Sequence, residues 1–163
     1  MPHPLSTLGA IHTALSLVPL AAGAHGLIRD RRIDPATASG KLYLGGLTLS
    51  VLTAFGLSST GGINPGHILG VVALLAAFGG VVAPRLRFLG SLGPYLSTFG
   101  LSFSFLLLLV PGTNETLSRL PPSHPLANGP QSPLVQGALL AWLLLFIAGF
   151  IAQCRLIRAH RKG

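Results

Sequence analysis

His12 and His67 are the side chains best placed for chemistry in this 163-residue chain, because each lies within or at the edge of a long apolar run. Ionisable groups at membrane depth call for a functional hypothesis. If these two imidazoles face one another at similar depth, they form the axial pair of a b-type haem. A wider set, His12, His67, His124 and Glu115, has the donor types that suit zinc or copper, provided three separate segments converge. The competing reading makes both histidines interfacial residues, hydrogen-bonded to backbone or to Thr13 and Ser16. His25 lies thirteen residues after His12, about 20 Å along a helix, too far to share a site. His3 and His124 fall in outer segments and His160 in an inner tail.

A second candidate is the pair Glu115 and Arg119, four residues apart after Asn114. Asn114 caps a short helix, Glu115 occupies its first turn, and Arg119 completes an i,i+4 ion pair. The pair reads either as a surface ion pair or as part of a lid at the outer mouth of the molecule. Together, His12, His67, Glu115 and Arg119 form the expected ligand-binding cluster, with His12 and His67 as the metal-ligating pair of the haem alternative. No catalytic residue is expected. The single cysteine, Cys154, excludes a disulfide framework and reads as a small buried hydrophobe. Lys41 and Tyr43 read as interfacial anchors.

The elements that must hold these side chains follow from composition. Half of the residues are hydrophobic and only 9% are charged, against about 25% in a soluble domain. Five stretches, roughly 6–28, 42–60, 67–84, 92–111 and 134–154, lack Lys, Arg, Asp and Glu over lengths close to the about 20 residues that a bilayer requires. Gly and Pro clusters divide them, and the 112–133 outer loop alone holds Pro121, Pro122, Pro125, Pro130 and Pro133. The fold class expected is an all-α integral membrane protein, one domain over 1–163, with a bundle of five transmembrane helices.

The net charge of +8 reports orientation rather than nucleic-acid binding. Arg29, Arg31, Arg32 and Lys41 fall between spans one and two, and Arg85 and Arg87 between three and four. Arg155, Arg158, Arg161 and Lys162 follow span five, leaving Arg119 alone on the other side. Cytoplasmic loops carry the Lys/Arg excess, so the N-terminus is expected outside and the C-terminus in the cytoplasm.

Packing between spans depends on small residues, since lipid gives apolar helices no reason to leave it. Gly66, Gly70, Ala73, Ala77 and Gly80 form one stripe on the third helix; Gly93, Ser97, Gly100 and Ser104 form another on the fourth. These two helices are expected to pair antiparallel. Gly9, Ser16 and Gly23 mark one side of the first helix, and Gly45, Thr48 and Ser59 lie among leucines in the second. The fifth, rich in leucine all round, is expected at the periphery, facing lipid, a membrane protein partner or a second copy of itself.

The run from His12 through Gly23-Ala24-His25-Gly26, the segment Gly40-Lys41-Leu42-Tyr43-Leu44-Gly45, and Gly66-His67-Ile68-Leu69-Gly70 resemble a family of small bacterial multi-pass inner-membrane proteins of unknown function. The stretch from Pro111 to Pro121 is the most distinctive part of the likeness, which covers most of the chain. It departs where that family has a His-Arg pair before the second helix and this chain has Ser39-Gly40-Lys41. The resemblance implies a helical bundle in the cell inner membrane and no particular activity or cofactor.

Overall fold

A computed structural model describes residues 7–57, 62 and 64–161; of His160 only the backbone is described. His3, Lys162, Ser59 and the rest of the second expected span beyond residue 57 lie outside the described residues. Five α-helices and no strand are found among them: α1 (Thr7–Arg29), α2 (Ala38–Phe55), α3 (Pro65–Val82), α4 (Gly93–Arg119) and α5 (Pro133–His160). Two short 3-10 turns, Ala83–Arg85 and Arg87–Leu92, join α3 to α4.

The helix starts follow local chemistry. Thr37 caps α2 by accepting from the Gly40 amide, and Ser132 caps α5 by accepting from Val135, with Pro133 opening the helix. Asn64 and His67 form a reciprocal capping box at the start of α3, again with a proline in the first turn. Gly40 is required where it stands, since a Cβ there would run into the Asp34 carbonyl oxygen.

Neighbouring helices run antiparallel throughout. Along α1 and α2, Gly56 meets Leu8, Gly46 meets Pro19 and Gly23 meets Tyr43. Gly70 of α3 abuts Val51 of α2. Where α3 crosses α4, a Cβ on Gly80 would stand 2.9 Å from the Ser97 carbonyl oxygen, and one on Gly100 would run into the Ala76 carbonyl oxygen. Backbone therefore touches backbone at this seam, the closest approach two helices can make. Ala73, Ala77 and Gly80 are buried on α3, while Gly93 packs against the Ala83–Pro84 backbone of the connector.

The core is drawn mainly from α2, α3 and α4. Tyr43, Leu47, Val51, Ala73, Ala77 and Leu101 form one cluster with Ile33 of the first connector. Tyr43 is fully buried, not an interfacial anchor as the sequence suggested. Ser104 directs its hydroxyl proton to the Leu101 carbonyl (2.8 Å), so Tyr43 donates to the Ser104 oxygen at 2.7 Å. The sequence reading also chose Gly45 as the small contact of the second helix, but Gly46 faces Pro19 and Gly45 faces open space.

Two further expectations change. Among the described residues, four helical stretches are long and apolar enough to cross a membrane: Thr7–Arg29, Pro65–Arg85, Arg87–Arg119 and Pro133–Ala159. The 18-residue α2, which carries Lys41, Tyr43 and three glycines, is not among them. Its reduced hydropathy accompanies a central position between α1 and α3. The fourth helix does not stop at 111 but continues through Pro111 to Arg119, so the connector to α5 is residues 120–132. Proline removes one backbone donor and introduces a ring clash, yet contacts on both sides outweigh that cost here. Trp142 of α5 donates to Thr113 at 3.1 Å, and the Glu115–Arg119 pair supports the last turns.

Candidate functional site

His12 and His67 both dock on the end of α2. Thr53 donates its hydroxyl proton to the Leu49 and Ser50 carbonyls, leaving its oxygen to accept from His12 Nδ1 at 3.0 Å. One residue further on, the Ala54 carbonyl accepts from His67 Nε2 at 3.0 Å. The other ring nitrogen of His67, Nδ1, accepts from the Asn64 amide at 3.2 Å as part of the capping box. These two bonds define the neutral tautomer with the proton on Nε2. The His67 ring also stacks on Phe55, with centroids 4.6 Å apart. The histidines thus clasp α1 and α3 to the end of α2. Thr13 turns to the Gly9 carbonyl instead of His12, and Thr53 takes the place foreseen for Thr13 and Ser16.

This arrangement does not suit an axial haem pair. Both nitrogens of His67 are engaged by backbone, so ligation requires dismantling the cap of α3. Among the described residues, no group of three or more His, Cys, Asp and Glu is placed to hold a metal ion. His124, exposed in the connector after α4, turns to the Ser123 carbonyl.

Glu115 and Arg119 form their ion pair on the last turns of α4, with side chains more than half exposed. The connector that follows is tied to α4 itself: Ala127 donates to the Leu117 carbonyl at 2.9 Å, and Gly129 to the Ser118 hydroxyl at 3.2 Å. The Glu115 carboxylate makes no direct bond to either histidine among the described residues.

The opposite end of the bundle holds contacts that the sequence reading missed. Gln153 of α5 is buried; it accepts from the Ser102 hydroxyl at 3.1 Å and donates to the Arg31 carbonyl at 2.8 Å. Arg161 donates to the Ser91 carbonyl at 3.2 Å. These bonds bring the α1–α2 connector, the α3–α4 connector and the C-terminal end of α5 to one end, together with the described basic residues other than Arg119. Phe99 and Phe103 of α4 pack against Phe146 and Phe150 of α5. The visible signals were the amide that ends the long apolar run of α5 and two phenylalanine pairs at i,i+4 spacing.

In the first connector, the Asp34 carboxyl lies below its ordinary pKa because the Ala36 amide donates to it at 2.9 Å and Arg32 at 2.7 Å, against a smaller cost of burial.

No family model, curated protein or solved structure matches the chain. The class that the described residues define is an all-helical protein, with four helices of membrane-crossing length and apolarity among them.

Proposed function

We propose that the chain is a multi-pass protein of the bacterial cell inner membrane with five spans, N-terminus outside and C-terminus cytoplasmic. The antiparallel register of α1, α2 and α3 supports counting α2 as a span, because it lies at the same depth as its neighbours. Its 18 residues make about 27 Å of helix, close to the about 30 Å hydrocarbon thickness. The gathering of the basic side chains at one end supports the orientation.

Within that setting the chain is a non-enzymatic accessory or small-molecule-binding module. One observation carries this reading: polar side chains inside the bundle bind helix to helix. Tyr43 reaches Ser104, His12 reaches Thr53, His67 reaches Ala54, and Gln153 reaches Ser102 and the Arg31 carbonyl. Groups so engaged position helices. The polar site of this reading is the end that carries His12, His67, Glu115 and Arg119.

Compartment-specific reporters test the topology: one fused after Gly163 should be active in the cytoplasm and one inserted at Gly129 in the periplasm. Both reporters active in one compartment would overturn five spans. The purified protein should lack a haem absorption band; a band abolished by His12→Ala would shift the reading to a b-type haem electron-transfer protein.

A further inference from the structure

Between α1, α4 and α5 lies a groove of about 360 Å³ whose walls are mainly Leu27, Phe105, Leu109, Leu145, Phe146 and Gly149. Trp142 lines it towards one end and Leu156 towards the other. These two stand fourteen residues apart on α5, about 21 Å along its axis, more than the about 15 Å of one leaflet. The groove is therefore long, apolar and narrow. Its polar groups, Arg31, Ser102 and Gln153, lie towards the basic end.

Arg31 distinguishes this groove from an ordinary greasy face. The end of α1 and the connector after it hold three arginines around two acids, and both acids are engaged elsewhere: Asp30 with Arg29 at 4.0 Å and Asp34 with Arg32 at 2.7 Å. Arg31 lines the groove without a carboxylate partner among the described residues. Its backbone is left-handed, with φ 59°, a conformation that non-glycine residues adopt only when their surroundings impose it. The restraint is visible in the Gln153 amide, which holds the Arg31 carbonyl while Gln153 itself is held by Ser102. Arg31, exposed and without a carboxylate partner among the described residues, thus has its backbone held by the Gln153–Ser102 hydrogen bonds at the charged end of an acyl-chain-sized groove.

We propose that this groove binds an anionic phospholipid from the leaflet at the basic end, with its phosphate on Arg31 and one acyl chain along α5 towards Trp142. The proposal rests on the membrane reading above. Charge complementarity selects the occupant: a phosphate takes a forked pair of hydrogen bonds from a guanidinium, and the surrounding arginines favour net negative charge. A zwitterionic lipid offers the same chain but no net charge.

Trp142 is the only tryptophan in the chain, so its fluorescence reports on the groove directly. The full-length protein in dodecyl maltoside micelles is titrated with phosphatidylglycerol brominated near the methyl end of one chain, and with the matching phosphatidylcholine. Quenching should saturate, with an apparent affinity about tenfold higher for phosphatidylglycerol, as expected for one charge-assisted contact. Arg31→Asn tolerates the left-handed backbone and should bring the two lipids to parity, whereas Arg31→Lys should keep much of the preference. Gly149→Phe fills the groove from a position with open space beside it and should abolish saturable quenching by both lipids. Arg29→Gln removes the same charge outside the groove and should leave the preference intact.

Equal quenching by both lipids, or a preference that survives Arg31→Asn, would overturn the proposal. So would an absence of saturable quenching in a protein whose oligomeric state collapses on Gly149→Phe, which would assign the groove to a second copy. If the membrane reading itself fails, the failure has its own signature, since alkaline carbonate would release the chain from membranes.

Discussion

Helix α4 is packed in two contrasting ways. Against α3 it uses Gly100, with Gly80 opposite, and backbone meets backbone with no room for a side chain. Against α5 it uses Phe99 and Phe103, whose rings meet Phe146 and Phe150 edge-on or tilted. The first seam closes backbone on backbone at its crossing, beside a shallow open hollow of about 300 Å³; the second leaves the longer groove that Arg31 and Trp142 line. Small residues bring helices close enough for continuous contact, while bulky rings hold them apart and let a third component enter. The pairs α1–α2 and α3–α4 are the tightest contacts, and α5 lies along α4 with most of its length exposed: Leu140, Leu144 and Leu145 are each more than half accessible.

The sharpest way to break this contrast is to put bulk into the closed seam. Gly100→Leu forces a side chain into the Ala76 carbonyl and should cost about 3 kcal/mol or more, read as a large fall in the melting midpoint in detergent. Leu144→Ala on the exposed face of α5 should stay within about 0.5 kcal/mol. The reverse order would make α5 the centre of an obligate interface and α3–α4 the loose seam.

A middle-sized effect is expected at the histidine clasp. His67→Ala removes half of the capping box and the bond to Ala54, and should destabilise by about 1–2 kcal/mol. His67→Asn keeps a polar group of the right reach and should recover part of the loss in the same melting assay. If His67→Ala raised or left unchanged the melting midpoint, the clasp would not hold α3 to α2.

Acid titration separates the connectors from the seams. Because the folded Asp34 carboxyl lies below its unfolded value of about 3.9, its contribution is complete above that value and is lost as pH falls through the lower folded value. Asp34→Asn should therefore flatten the acid limb of a stability–pH curve while leaving the response to Gly100→Leu unchanged. An acid limb of the same steepness in the variant would remove Asp34 from the account.

The smallest effect belongs to the far end of α4. Glu115→Gln breaks an exposed i,i+4 pair and should cost only about 0.3–0.5 kcal/mol, fading at high salt. A larger, salt-resistant loss would show that Glu115 binds more than Arg119.

The apolarity of the helices, their number and their approximate extents are local properties, and local patterns reveal them. Apolar runs, Gly/Pro breaks and the grouping of arginines need no knowledge of neighbours. Of the small residues picked out by helical period, Gly80 and Gly100 meet at the α3–α4 crossing, whereas Gly70 packs on Val51 and Ser104 on Tyr43, both of α2. Local signals failed where two rules compete. Pro111-Gly112 looks like an end, yet Trp142, twenty-nine residues away, helps hold the helix through it. The histidines were legible as special but not in their role, because a ring nitrogen's partner depends on which helix end arrives beside it. Only tertiary structure decided that Thr53 and Ala54 are those partners, that Tyr43 is interior, and that Gly46 rather than Gly45 meets Pro19. It also decided that Gln153 reaches across 122 positions to hold the Arg31 backbone. Such pairings join residues distant in sequence, and their energies depend on helix rotation and depth, which no local pattern encodes.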